Sequence, residues 1–353
     1  MTRRVLITSI GSGSGLAALQ SCRTGGGDWR LVGLNSIAGA PGMALADRAF
    51  LTPPVADRAA YRERLLGIVR AERPRLVVPG RDGDLPVLLS LRDELAQEGA
   101  FLLAGSEPAV AIAGDKYLTA NALRPLGFDF VETAASLAEA RALAGRCGYP
   151  LLAKPREGNA SRGLRLVMSE AELAGAFDAP EPMAVQEYLV PERWGVARES
   201  ITRERLLTDD DLRPGRIRQE AEVTVHAILG RAGQVLGSMA HIADYVDGLA
   251  SRIDVLDDPE VLETGTRAIA SLGERGLVGP CNIQGRRVAG RGIAFYEVNG
   301  RVTGLTGART ALGFLEMEAI WRHFVDGEET VDCLACPPSG TVHRYLADVV
   351  APA

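Results

Sequence analysis

Two stretches late in the chain limit what it can fold into more than any other feature: residues 278–284, Val-Gly-Pro-Cys-Asn-Ile-Gln, and residues 295–301, Phe-Tyr-Glu-Val-Asn-Gly-Arg. Both alternate as strands do, and the Gly- and Arg-rich link 285–292 reads as the turn of a hairpin. On such a hairpin Gln284, Glu297 and Asn299 can bring three oxygen ligands to one face, because strand side chains repeat every two residues. One carboxylate with two amide oxygens suits a hard cation such as Mg2+, which usually completes its shell with substrate phosphates. Arg301 adds a group for an anion on the same face. The spacing alone suits a solvated polar hairpin equally well, so the rest of the chain has to decide.

Composition narrows the classes. With 353 residues, 46% hydrophobic and 24% charged, the chain has length for two or three domains. A net charge of −6 without a long basic run gives no electrostatic footprint for nucleic acid. The five cysteines are odd in number and mostly isolated, which argues against a disulfide framework. Cys333 and Cys336 have the spacing of a zinc or redox pair, but without a second pair or a nearby His pair they read as free thiols. No apolar run reaches the roughly 20 residues that span a bilayer, and the start has no long apolar segment of the secretory kind. The expectation is a soluble cytoplasmic protein with neither membrane nor nucleic-acid partners, a homodimer being compatible.

From its start the chain reads strand, glycine turn, helix: residues 5–10 are a buried-strand run, and Gly11, Gly13 and Gly15 lead into a helix at 16–22. The third glycine comes one residue early for a dinucleotide fingerprint, and Asn35 stands where an acidic ribose-binding residue would be expected. A Rossmann-like architecture therefore fits better than NAD binding, and the glycines serve close packing of helix on strand. After a helix at 58–72 and a strand at 75–79 comes the polar loop 80–84, at a strand's carboxyl end where open α/β sheets place ligands. That position makes Asp82 a candidate substrate residue, although Asp and Gly are also ordinary loop formers. A second unit follows Asp115-Lys116: a helix to Leu126, a helix at 136–147, and a strand ending in Lys154. Residues 156–163 then form a small-residue loop whose N–H groups can fold over polyphosphate. Residues 191–218 are dense in Arg, Glu and Asp and read as an exposed, mobile insertion before the antiparallel strands beginning at 219. His226, His241, His323 and His343 are too scattered to suggest a metal site.

Read together, these pieces resemble the ATP-grasp superfamily, and within it the synthetase units of the carbamoyl-phosphate synthase large subunit. The residues that carry the resemblance are Asp115-Lys116, Lys154-Pro-x-x-Gly158-x-x-Ser161-x-Gly163, Gln186-Glu187-Tyr-Leu189, Glu222-Val-Thr-Val, and Gln284 with Glu297-Val-Asn299-Gly-Arg301. The fold class implied is α/β and α+β, an ATP-grasp fold with an N-terminal Rossmann-like domain. Its expected divisions are 1–112 for that domain, 113–185 for a small lobe, 186–330 for a large lobe with the insertion at 191–218, and 331–353 for a C-terminal tail.

The resemblance also implies roles. Lys116 and Lys154 would contact ATP phosphates under the loop of Gly158, Ser161 and Gly163. Glu187 and Leu189 would border adenine, Glu222 would hold the ribose, and Gln284, Glu297 and Asn299 would ligate Mg2+, with Mn2+ also compatible. The implied reaction is activation of a small-molecule carboxylate as an acyl phosphate, which an amine such as an amino acid then attacks. Arg301 is the candidate for holding the carboxylate being phosphorylated, and Arg309, in a glycine-containing loop, for holding a second carboxylate. Two departures are visible: the 191–218 insertion falls where relatives have a few residues, and Gly300 replaces a common proline, which should loosen the backbone beside Arg301. The rival readings are an oxidoreductase, a nucleotide-binding protein without activity, and a grasp-fold enzyme that phosphorylates without ligation.

Overall fold

The computed structural model describes residues 2–158, 163–207, 217, 222–246, 249–345 and 348–350. The first five strands, β1 (Arg3–Ile7), β2 (Trp29–Asn35), β3 (Arg48–Leu51), β4 (Leu76–Val78) and β5 (Phe101–Leu102), form a parallel sheet in the order β3-β2-β1-β4-β5. Its inner strands bury Val5, Leu6, Ile7, Leu31, Val32, Leu34 and residues 76–78 because both faces are covered there, as parallel sheets require, while the edge strand β3 stays largely exposed. Val5 and Ile7 pack towards helices Gly13–Thr24 and Glu316–Phe324, and Leu6 towards helix Arg58–Glu72. Helix Glu316–Phe324 is thus distant in sequence yet closes the first sheet, with Trp321 edge-on to Trp29 and Phe324 stacked on Phe101.

A second, four-stranded sheet is built on β6 (Thr133–Ala134), β7 (Leu151–Pro155), β8 (Arg165–Val167) and β9 (Met183–Glu187), in the order β6-β9-β7-β8. The third sheet is antiparallel: β10 (Glu222–Leu229), β11 (Val235–Val246), β12 (Leu249–Val255), β13 (Gly279–Val288), β14 (Gly292–Asn299) and β15 (Thr341–His343), ordered β14-β13-β10-β11-β12-β15. Helix Pro259–Gly273 starts on the Asp258 side chain, which accepts from the Val261 N–H, with proline in the first turn where its missing N–H costs nothing. It lies so close to β10 that a Cβ on Gly265 would stand 2.4 Å from Val225 Cγ2. The architecture is the α/β and α+β arrangement that the sequence implied.

Three expectations need correction. The 331–353 segment is more than a tail: β15 pairs with β12 as the outermost strand of the third sheet, and Leu334 is buried against Gly237. The insertion is anchored where it is described, because Ile201 and Leu206 bury with Tyr188, and Trp194, Val196 and Ile217 pack beside them. Its dense charge had masked apolar residues spaced a turn or more apart. Gly300 is a tight fit and not a loose joint, since a Cβ there would meet Leu277 at 2.9 Å and Ala113 at 3.0 Å.

Candidate active site

A cavity of about 620 Å3 lies where the three sheets meet. One wall is the turn of Gly11, Ser12, Gly13 and Ser14 with Asn35 and Arg81; the other comes from β7, β9, β10 and the hairpin β13–β14. The glycine turn is partly a packing device, as a Cβ on Gly15 would stand 2.7 Å from the Ser9 carbonyl oxygen. Gly13 has open space around it and borders the cavity, which leaves backbone exposed to a ligand.

The hairpin places its side chains by register. Gln284 pairs with Glu297 and Asn282 with Asn299, so the three predicted oxygen donors share one face. After Gln284 the register slips: Gly285 pairs with Phe295, and Tyr296 is the extra residue of a bulge. A Cβ on Gly285 would stand 2.4 Å from the Ala294 carbonyl oxygen, so only glycine fits there. The bulge lets consecutive Tyr296 and Glu297 both border the cavity, which strict alternation forbids.

Two lysines, one on helix Lys116–Leu123 and one on β7, converge on Glu297. Asp115 caps helix Lys116–Leu123 by accepting from the N–H of Tyr117 at 2.8 Å, and it also grips Arg156 beyond β7. That fixes Lys116 in the first turn, its Nζ 3.2 Å from the Gly158 carbonyl oxygen and 3.8 Å from Glu297. Lys154, at the exit of β7, has its Nζ 3.7 Å from Glu297 and 5.0 Å above the Tyr296 ring. It is 8% exposed, and burial pulls its ammonium down to about 8, partly opposed by the attraction of Glu297 and reinforced by the repulsion of Lys116.

A chain of hydrogen bonds runs through the predicted residues. Arg301 donates bidentately to Asp82 at 2.8 and 2.6 Å and to Asn299 Oδ1 at 3.2 Å. Asn299 Nδ2 donates to Gln284 Oε1 at 3.4 Å, and Gln284 Nε2 donates to Glu222 at 2.5 Å. Tyr296 donates its hydroxyl to the other oxygen of Glu222, and Tyr245 hydrogen-bonds the same carboxylate. Burial raises the Glu222 carboxyl above its usual range, opposed by those two phenols.

Glu187 is engaged by Arg291 at 2.8 Å and faces Arg198 at 3.9 Å, while the Leu189 carbonyl accepts from Arg286 at 3.1 Å. Both border the cavity. Gly158 and Gly163 flank residues 159–162, so Ser161 and the predicted closing loop lie outside the described residues. The Arg309 expectation is overturned. Helix Thr306–Ala311 turns its side chain into the core, where it is fully buried, ion-paired with Glu316 and donating to Thr303 Oγ1 at 3.0 Å. Sequence reading missed Tyr245, Arg286, Tyr296 and Arg344, all of which border the cavity. Arg286 was hidden because β13 runs on to Val288, through what reads as turn.

Among the described residues no group of three or more His, Cys, Asp and Glu could hold a metal. The set Gln284, Glu297 and Asn299 is of another kind, one carboxylate with two amide oxygens, and it fits a hard cation that takes further oxygens from phosphate. Two ammonium groups already gather at Glu297, so its carboxylate lies where positive charge is wanted.

No family model matches the chain. It is 35% identical over 135 residues to the carbamoyl phosphate synthase large chain of Rubrobacter xylanophilus, and 33% over 113 residues to that of Thermotoga neapolitana. The first match covers 36% of this chain and 13% of that protein; the second covers 31% and 10%. The matched region is therefore a small part of those curated relatives. Similar solved structures include the carboxyaminoimidazole ribonucleotide synthase of Aspergillus clavatus with ATP, at TM-score 0.67 and 15% identity, over 96% of this chain and 81% of that one. The biotin carboxylase of Campylobacter jejuni matches at TM-score 0.66 and 15% identity, over 93% and 72%. The biotin carboxylase domain of the Hydrogenobacter thermophilus 2-oxoglutarate carboxylase, a dimer with MgADP, ADP and bicarbonate, matches at TM-score 0.64 and 16% identity, over 92% and 70%.

Proposed function

We propose that the chain, which carries the ATP-grasp fold, is an ADP-forming ligase that couples a carboxylate to an amine. The observation that carries this reading is the convergence of Lys116 and Lys154 on Glu297, in one cavity with Gln284 and Asn299. Two cations beside a set of oxygen donors form a place for a polyphosphate and its cation.

In the first step a carboxylate oxygen attacks the γ-phosphorus of ATP and ADP leaves. In the second the amine attacks the acyl phosphate carbon, inorganic phosphate leaves and the nitrogen loses a proton. Lys116 and Lys154 neutralise phosphate charge, and Glu187 and Leu189 border the adenine. Glu222, held by Gln284, Tyr296 and Tyr245, takes the ribose hydroxyls. Gln284, Glu297 and Asn299 would hold Mg2+, which supplies further charge neutralisation when bound. Arg301 holds the reacting carboxylate: the planar two-bond grip it now has on Asp82 is the grip a substrate carboxylate would take over. Residues 1–112, 113–185 and 186–330 act as the N-terminal domain, small lobe and large lobe, with 331–353 joining the large lobe through β15.

The test is an ADP-release screen of carboxylic acids crossed with amines, amino acids included. A ligase releases ADP and phosphate only when both substrates are present. ADP release with an acid alone, leaving phosphorylated acid, would assign a phosphotransferase instead.

A further inference from the structure

The cavity contains more arginines than the proposed chemistry uses, and they differ in what holds them. Arg301 is saturated by Asp82, Arg81 is paired with Asp84, and Arg286 donates to the Leu189 carbonyl with its ring-facing side over Tyr188. Arg344 has no carboxylate partner among the described residues. Its backbone N–H donates to the Ser251 carbonyl at 2.9 Å, extending the β12–β15 ladder, and its guanidinium makes one long bond, 3.4 Å, to the Ala250 carbonyl. The side chain is half-buried, and burial lowers its affinity for its proton, opposed by the Tyr245 phenol. A guanidinium withdrawn from water without a counter-charge is costly unless an anion joins it. Tyr245, whose charge is felt by Arg344, hydrogen-bonds Glu222 and Gln284.

We propose that Arg344 is a substrate-binding residue that holds an anionic group, carboxylate or phosphate, of the organic substrate at the end of the cavity formed by Tyr245, Ala250 and Leu305. It takes the part that sequence reading gave to the buried Arg309, and it comes from the segment expected to be a C-terminal tail. The identity of the anion as a substrate group rests on the ligase reading; the existence of the anion site does not.

The experiment begins with arginine footprinting of the whole protein saturated with MgADP, using phenylglyoxal and peptide mass spectrometry. Succinate, glycine and inorganic phosphate are the probes, together with any acid that raises ADP release. Arg344 should be modified while Arg301 and Arg309 are not, and at least one probe should slow its modification by about tenfold, the loss expected when a charged hydrogen-bonded partner occupies it. Protection by MgADP alone would give Arg344 to the nucleotide and overturn the assignment, as would protection by none of the probes. Arg344→Met should then raise the KM of the protecting acid about tenfold, with ADP affinity and kcat within about twofold. An unchanged KM overturns the proposal even if ligation is found. Protection without any ligation would keep the anion site and refute the ligase reading, so the two can fail separately.

Discussion

Lys154→Met should make the protein more stable while removing its activity. Burial holds the Lys154 ammonium at about 8 against an ordinary 10.5, net of the attraction of Glu297. That gap corresponds to ~3 kcal/mol of cost for keeping the charge inside. The sign follows from the two proton affinities. Below pH 8 the group is charged in both states and the cost is present in full; between 8 and 10.5 only the unfolded chain is protonated, so stability rises with pH; above 10.5 the cost is gone. Methionine keeps a stem of similar length while giving up the ammonium's place 5.0 Å from the Tyr296 ring centre, and Glu297 keeps Lys116 at 3.8 Å. The variant should therefore unfold up to about 4 °C higher at pH 7, a ceiling set by the unfolding entropy expected of a chain this long. Its advantage should fade between pH 8 and 10.5, and its ADP release should drop by two or more powers of ten. The assays are thermal unfolding at a series of pH values and coupled ADP detection. A variant less stable than the parent at pH 7, or one whose difference ignores pH, would refute the reasoning, because Lys154 would then be a structural half of an ion pair and not a charge stored for a phosphate.

Other perturbations follow from the same geometry. Glu297→Gln keeps the side-chain shape but leaves Lys116 and Lys154 without their shared carboxylate, so ADP formation should fall by several powers of ten in a folded protein; circular dichroism with turnover would show near-normal activity if the assignment is wrong. Arg309→Met should destabilise by about 3–5 kcal/mol by stranding Glu316 in the core, and adding Glu316→Leu should recover much of that; urea unfolding of the three variants decides. Asp82→Asn weakens the resident competitor for the Arg301 fork and should lower the KM of the organic acid several-fold, whereas a raised KM would make the pair a strut.

The hairpin was legible because its donors obey the period of a strand: Glu297 and Asn299 two apart, Gln284 opposite Glu297. Lys116 and Lys154 were legible through family likeness. Tyr296 was not, since the bulge that turns it to the cavity depends on Gly285 meeting Ala294 across the hairpin, a contact between strands. Arg309 misled for a related reason. Its loop-like neighbours Gly304 and Gly307 hide that Thr306–Ala311 is one and a half turns of helix, which rotates residue 309 away from the cavity and onto Glu316. Arg344 has no local signal at all: it reaches the cavity only because β15 returns to pair with β12, almost ninety residues earlier in the chain.

The hydrogen-bond chain from Asp82 to Tyr296 crosses from the turn after β4 to the hairpin β13–β14. In it Asn299 Oδ1 and Gln284 Oε1 each accept one bond, leaving each a lone pair for a cation. A cation at those oxygens would draw electron density from the bonds they accept and shift the balance of the Arg301–Asp82 contact. By reciprocity, whatever detaches Asp82 must change the affinity of the amide oxygens for the ion by the same factor. Occupancy of the acid's seat at Arg301 and tightness of the ion at Asn299 and Gln284 would be two readings of one coupling free energy, measurable from either side.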